Sequence, residues 1–206
     1  MRAILLAFAV ALTACATSAE PARAQQSPPA AGAQHFTLDP AHTQVAFSVE
    51  RFGFNHVLGR FDAIAGEVTL DQANPERSSV TATIQVDSIS TGNATRDGHL
   101  KGEIWLNSAQ FPTMEFRSTE VRRTGDSTAD VVGAMTIRGV TQPVTLHVRL
   151  NRAGQSPANG APSAGFSATT TISRTAFGVG VPRPPTALIG DDIVIAIEAL
   201  GQTAAN

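Results

Sequence analysis

A period of two constrains this sequence more than any other feature. From residue 43 onward, apolar side chains recur at alternate positions in eight segments. Val45, Phe47 and Val49 share one face of residues 43–50; Ile64, Gly66, Val68 and Leu70 share one face of 64–71; Val80, Ala82, Ile84 and Val86 do so in 79–87. Met114 and Phe116 alternate with charged residues in 113–121, and Val131, Gly133, Met135 and Ile137 line up in 130–139. The pattern continues with Val144, Leu146, Val148 and Leu150, then Phe166, Ala168, Thr170 and Ile172, and finally Ile193, Ile195, Ile197 and Ala199. Successive side chains on a strand point to opposite faces, so each segment predicts a strand with one apolar face.

The connections between segments carry turn chemistry: Asn74-Pro75, Thr124-Gly125-Asp126, Arg138-Gly139 and Gly190-Asp191. Strand, tight turn, strand is the signature of antiparallel pairing, and eight such strands suggest a sandwich or a closed barrel. Closure removes the exposed edges that make Val- and Ile-rich strands prone to aggregation, which favours the barrel. The one convincing break in the period is "TRDGHLKGEIWL". Asp97, Leu100, Ile104 and Trp105 there fall at helical spacing. The expected fold is therefore all-β, an eight-stranded antiparallel barrel with one short helical insertion between strands three and four.

The chain opens with Arg2 and a ten-residue apolar run, Ala3 to Leu12. That is too short to span a bilayer, which takes about 20 residues, and it suits the apolar region of an export signal. Two processing routes fit. Leu12-Thr13-Ala14-Cys15 looks like a lipobox, giving a lipoprotein signal over 1–14 with Cys15 lipidated as a membrane tether; Ala22-Arg23-Ala24 looks like a cleavage site ending a signal over 1–24. Either route places the protein in the periplasm. Residues 25–34 belong to a stretch of Ala, Pro, Gln and Ser with no hydrophobic period and read as a flexible tether. The barrel domain is expected over 35–201.

Composition removes several function classes. Cys15 is the only cysteine, so the domain has no internal disulfide and no thiolate metal site. Lys101 is the only lysine, the net charge is −2 and no basic run exists, which argues against nucleic acid as a partner. His35, His42, His56, His99 and His147 show no ligand spacing, so no metal is expected. His147 falls on the outward phase of its strand.

Arg96, Asp97 and His99 lie within four residues and resemble an anion clamp, an acid and a base. A catalytic triad also needs a nucleophile held close by, and the sequence has no G-x-S-x-G elbow. The cluster reads as a structural latch, with Arg96 and Asp97 pairing with each other or with turn amides and His99 sealing the helix against the barrel end. No catalytic residue is expected.

An eight-stranded barrel is just wide enough to be filled by its own side chains or to hold one small ligand. Small residues (Gly66, Ala82, Gly133, Ala168, Ala199) mix with large ones on the inward phase, and pattern alone leaves a filled core and an open pore equally open. The segments "DPAHTQVAFSVERFGFNHVLGRF", "STGNATRDGHLKGEIWLNSAQFPTMEF", "IRGVTQPVTL", "RTAFGVG" and "IGDDIVIAIEA" together resemble the YceI-like family of periplasmic polyisoprenoid-binding proteins, over essentially the whole domain. The resemblance implies an extended lipocalin-like barrel holding a long isoprenoid lipid or quinone tail, with no catalysis and no cofactor besides that ligand. It marks Arg96 to Leu100 and Phe111-Pro112 as hallmarks of the fold. It also makes quinone handling with an inner-membrane cytochrome b561-like partner plausible.

The ligand contacts expected on that basis are Phe47, Val49, Val68, Ile84, Val86, Trp105, Phe111, Met114, Phe116, Met135, Leu146, Phe166, Ile172, Phe177, Ile195 and Ile197. Family members often carry a histidine where Arg51 stands here, so Arg51 either contacts a head group or faces water. Two other readings compete: a periplasmic hydrolase using Asp97 and His99, and a solid-core, stress-related interaction module.

Overall fold

The computed structural model describes residues 32–180 and 188–203. The signal, lipobox and cleavage-site readings, with Cys15 and most of the tether, lie outside the described residues. Eleven strands form one antiparallel sheet: β1 (Gln34–Leu38), β2 (Gln44–Arg51), β3 (Asn55–Phe61), β4 (Ile64–Leu70), β5 (Ser79–Gln85), β6 (Ile89–Ser90), β7 (Thr113–Arg123), β8 (Thr128–Ile137), β9 (Val140–Gln155), β10 (Pro162–Ser173) and β11 (Ile189–Gln202).

The eleven reduce to eight staves. β1 continues into β2, β3 into β4, and β5 into β6, each pair interrupted by a short irregularity. The first stave pairs with the second (β1 with β4, β2 with β3), and the second with the third (β4 with β5, β3 with β6). From there the chain runs as a meander through β7, β8, β9, β10 and β11. β11 then pairs with both β1 and β2 and closes the ring. The result is a closed eight-stranded antiparallel barrel with one helix, as the alternation predicts.

The alternation succeeds because one face of every strand is buried. Val45, Val68, Met114, Phe116, Val131, Leu146, Ala168, Ile172 and Ile195 are all buried, and their neighbours along the strand are not. Register shifts in the β7–β8, β9–β10 and β11–β2 ladders let the sheet curl. Arg138 and Gly139 both take positive φ (53° and 74°), the two-residue turn whose twist matches a hairpin.

Helix α1 (Ala94–Lys101) lies between the third and fourth staves and contacts β6. Asn93 caps it by accepting a hydrogen bond from the Arg96 amide at 3.0 Å. The helix stops at Gly102, so Ile104 and Trp105 follow it rather than extend it.

Two expectations need correction. Residues 34–38 and 55–61 are strands that the alternation does not predict; each completes a stave whose other half carries the clearer alternation. Gly190-Asp191 is not a hairpin turn but the start of β11. The Asp191 carboxylate instead accepts from the Thr175 amide and hydroxyl, fastening the β10 end to the β11 start.

Candidate ligand cavity of the barrel

The barrel is not packed solid. An apolar cavity of roughly 670 Å³ runs along it, within the span of about 300–1,000 Å³ usual for small-molecule sites. At the end near α1, Arg51, Val57, Arg96, His99, Trp105, Arg174 and Phe177 line the mouth; at the opposite end Gln72, Pro75, Ser78, Arg123, Asp126 and Ser127 do so. Between the two ends the lining is carried by the inward phase of the staves. A strand of β7's length spans about 37 Å along its own axis, which at the usual barrel tilt leaves roughly 28 Å of axial depth.

Of the expected contacts, Phe47, Val49, Val68, Ile84, Trp105, Met114, Phe116, Met135, Leu146, Phe166, Ile172, Phe177, Ile195 and Ile197 line this cavity together. Val86 and Phe111 do not. Val86 sits in the 3₁₀ turn that interrupts the third stave and is buried outside the cavity. Phe111 packs over Gly139, where a β-carbon would stand 2.8 Å from its ring.

The small inward residues do two different jobs. A β-carbon at Gly59 would lie 2.3 Å from the Phe47 ring, and one at Gly133 would lie 2.4 Å from the Phe116 ring. These glycines are seats for aromatic side chains. Ala82, Ala168 and Ala199 line the open lumen itself.

Arg96 and Asp97 grip the same residue. Arg96 donates from Nε to the Thr91 hydroxyl and from a terminal nitrogen to the Thr91 carbonyl, both at 2.8 Å; Asp97 Oδ1 accepts from the Thr91 amide at 2.9 Å and from its hydroxyl. The latch therefore closes on Thr91, and Arg96 and Asp97 do not pair with each other. His99 takes no part in that grip and does not seal the helix: it stands exposed at the cavity mouth. With Asp97 committed to Thr91, no Asp-His dyad is assembled.

Sequence reasoning missed two arginines at this mouth. Arg174 is 4 % exposed and donates to four carbonyls, those of Gly190 and Ile189 at 2.9 Å, Val179 at 2.8 Å, and Gly180. Its guanidinium lies 5.5 Å from the Trp105 ring centroid. Burial pushes its pKa down, and Asp191 pulls the other way. A signal existed: Arg174 continues the inward phase of Phe166, Ala168, Thr170 and Ile172. Arg138 reaches from the β8–β9 turn to the carbonyls of Gly178 (2.6 Å) and Glu103 (2.8 Å), so it ties three segments of this end together. Nothing local announces that role.

Burial pushes the Asp191 carboxyl up, but hydrogen bonds from Ser173 and Thr175 and the charge of Arg174 hold it below the usual carboxylate range. Among the described residues no three His, Cys, Asp or Glu side chains are grouped to hold a metal. His147 is exposed and hydrogen-bonds Asp130 at 2.8 Å.

The model of the YceI-like domain matches residues 36–200. The chain belongs to the YceI-like family. Among its relatives, a UPF0312 protein of Pseudomonas aeruginosa is 35 % identical over 161 residues, covering 78 % of this chain and 83 % of the relative. Among solved structures, Burkholderia cenocepacia BcnA superposes with a TM-score of 0.71 at 25 % identity, over 79 % of this chain and 98 % of that one. A polyisoprenoid-binding domain from Saccharophagus degradans, implicated in plant cell wall breakdown, shares the fold at 13 % identity with a TM-score of 0.61, over 82 % and 98 % of the two chains. The YceI-like region begins and ends with the barrel, within two residues of the first and last strands.

Proposed function

We propose that this YceI-like barrel is a periplasmic carrier that holds a long isoprenoid chain, a polyprenyl lipid or a quinone tail, in its lumen. The observation that carries this reading is the continuous apolar cavity. Water held against walls this apolar finds few hydrogen-bond partners, so an apolar occupant that displaces it and covers those walls is favoured. A long flexible chain fits a lumen that is deep, narrow and lined from end to end by aliphatic and aromatic groups. Each buried methylene contributes about 0.8 kcal/mol, so chain length rather than head group supplies the affinity.

Arg51, Arg96, His99 and Arg174 line the α1 mouth; of these, Arg51 would take the head-group role. The export-signal pattern of the N-terminal sequence supports the periplasmic location, and a quinone tail would suit exchange with a cytochrome b561-like membrane protein.

The test is organic extraction of the purified protein followed by mass spectrometry, paired with a plugged lumen. Ala168 faces the cavity. Ala168→Phe is expected to leave a folded barrel that carries at most a tenth of the wild-type lipid. An empty wild-type extract, or undiminished lipid in a folded Ala168→Phe protein, would sink the carrier reading.

A further inference from the structure

We infer that the tip of the β2–β3 hairpin, with the adjoining start of β11, is a lip that inserts into the surface of a lipid bilayer. The tip residues are Phe52, Gly53 and Phe54. Phe54 is 90 % exposed and Phe52 37 %, and Leu188, whose carbonyl accepts the Phe52 amide at 2.9 Å, is 68 % exposed. Ile104, 60 % exposed, stands at the same end of the barrel.

The fold itself does not ask for these side chains. Phe52 has φ of 58°, a left-handed conformation that suits Gly, Asn or Asp and strains a bulky residue. A turn that accepts such strain and then points its next aromatic into water is serving something outside the domain. Phe54 belongs neither to the buried core nor to the cavity lining.

Position identifies the occupant. Arg51 and Ile189, the chain neighbours of Phe52 and Leu188, pair across the sheet and both line the α1 mouth. The apolar tip is thus continuous with the rim of the lumen, and Arg51 spans the two by lying 4.1 Å over the Phe52 ring. On the carrier reading, on which this inference rests, the occupant of the lumen comes from a membrane. A lip buried in the bilayer interface lets the chain pass from acyl layer to lumen without crossing water. Aromatic side chains are the groups that settle at that interface.

Charge argues for a bilayer rather than an acidic or basic protein. Arg51, Arg96, Lys101, Arg138 and Arg174 at this end stand among Glu50, Asp97, Glu103, Asp191 and Asp192, so no block of one sign is offered. The attraction is apolar, and neutral phosphatidylcholine vesicles suffice as the probe.

Deuterium uptake of the full chain, with and without phosphatidylcholine vesicles, tests this locally and independently of any N-terminal anchor. Segments 50–58 and 188–194 are expected to exchange at least threefold more slowly with vesicles, in low and high salt alike, while 124–128 at the opposite end is unchanged. Phe54→Ser should abolish the slowing, and Val194→Ser, on the barrel wall, should keep it. Unchanged uptake at 50–58 would overturn the inference. So would slowing that follows protein concentration without vesicles, which marks a second copy of the chain, or slowing that survives Phe54→Ser. Lipid extraction from the same preparation separates the two readings. Vesicle-dependent slowing with an empty extract keeps the lip and removes the carrier, and lipid in the extract without slowing removes the lip alone.

Discussion

Thr91 is the residue around which the polar cluster of this end is organised. Its carbonyl, hydroxyl and amide are all taken by Arg96 and Asp97, five and six residues further along the chain. The first turn of α1, placed just after the third stave, brings those side chains back onto the residue that follows β6. Asp97→Asn keeps the shape but loses the charge-assisted bonds, which for a partly buried network should cost about 1–3 kcal/mol of unfolding free energy. Denaturant titration reads that loss, and lipid content per folded molecule should stay at the wild-type level. Wild-type stability together with lost lipid would instead make Asp97 a ligand contact. The same scale distinguishes Gly133 from Ala168. Phe116 and the Arg117 carbonyl, 2.6 Å from where a β-carbon would stand, fill the space at Gly133. A large side chain at Gly133 breaks the wall, whereas one at Ala168 enters the lumen.

Among the elements, the corner between β10 and β11 carries the densest set of polar ties. Arg174 holds four carbonyls, and Asp191 holds both donors of Thr175. Because Asp191 is held below its ordinary value of 3.8 in the folded state, the unfolded chain binds its proton first as pH falls. Its contribution to stability is complete above that ordinary value and is lost as pH drops through the lowered one. Asp191→Asn should therefore remove part of the acid sensitivity. In urea titrations below about pH 4, the wild-type midpoint should fall more steeply with pH than the variant's. Parallel acid limbs would show that other carboxylates carry the effect. This corner also explains the misreading of Gly190-Asp191. Gly-Asp is a turn signal in isolation, but the Gly190 carbonyl is claimed by Arg174 and the Asp191 carboxylate by Thr175, so the chain has already entered the strand.

For the molecule as a whole, Trp105 offers a reporter. It is the only tryptophan in a chain without tyrosine, and it lines the α1 mouth beside Arg174. Adding a long-chain quinone to delipidated protein should quench its emission saturably, and a short-chain analogue should need at least tenfold more. Each methylene lost from the lumen forfeits about 0.8 kcal/mol. Equal quenching by both chain lengths would place recognition in the head group and contradict a lumen-filling tail.

A period of two, which is local and survives without knowledge of neighbours, was enough to predict the class of fold, the eight staves and the inward residues of their better-patterned halves, and its one break placed the helix. The inward residues of 34–38 and 55–61 escaped it. It could not decide whether the inward face fills the barrel or leaves a lumen. That depends on which glycine lies beneath which ring: Gly59 under Phe47 and Gly133 under Phe116 are matches between different strands. Nor could it show that Arg174 and Arg138 bind the mouth together, since their partners are backbone carbonyls, which every residue carries and no sequence distinguishes. The exposure of Phe52 and Phe54 is not written in the sequence either, because it depends on which other segments pack nearby.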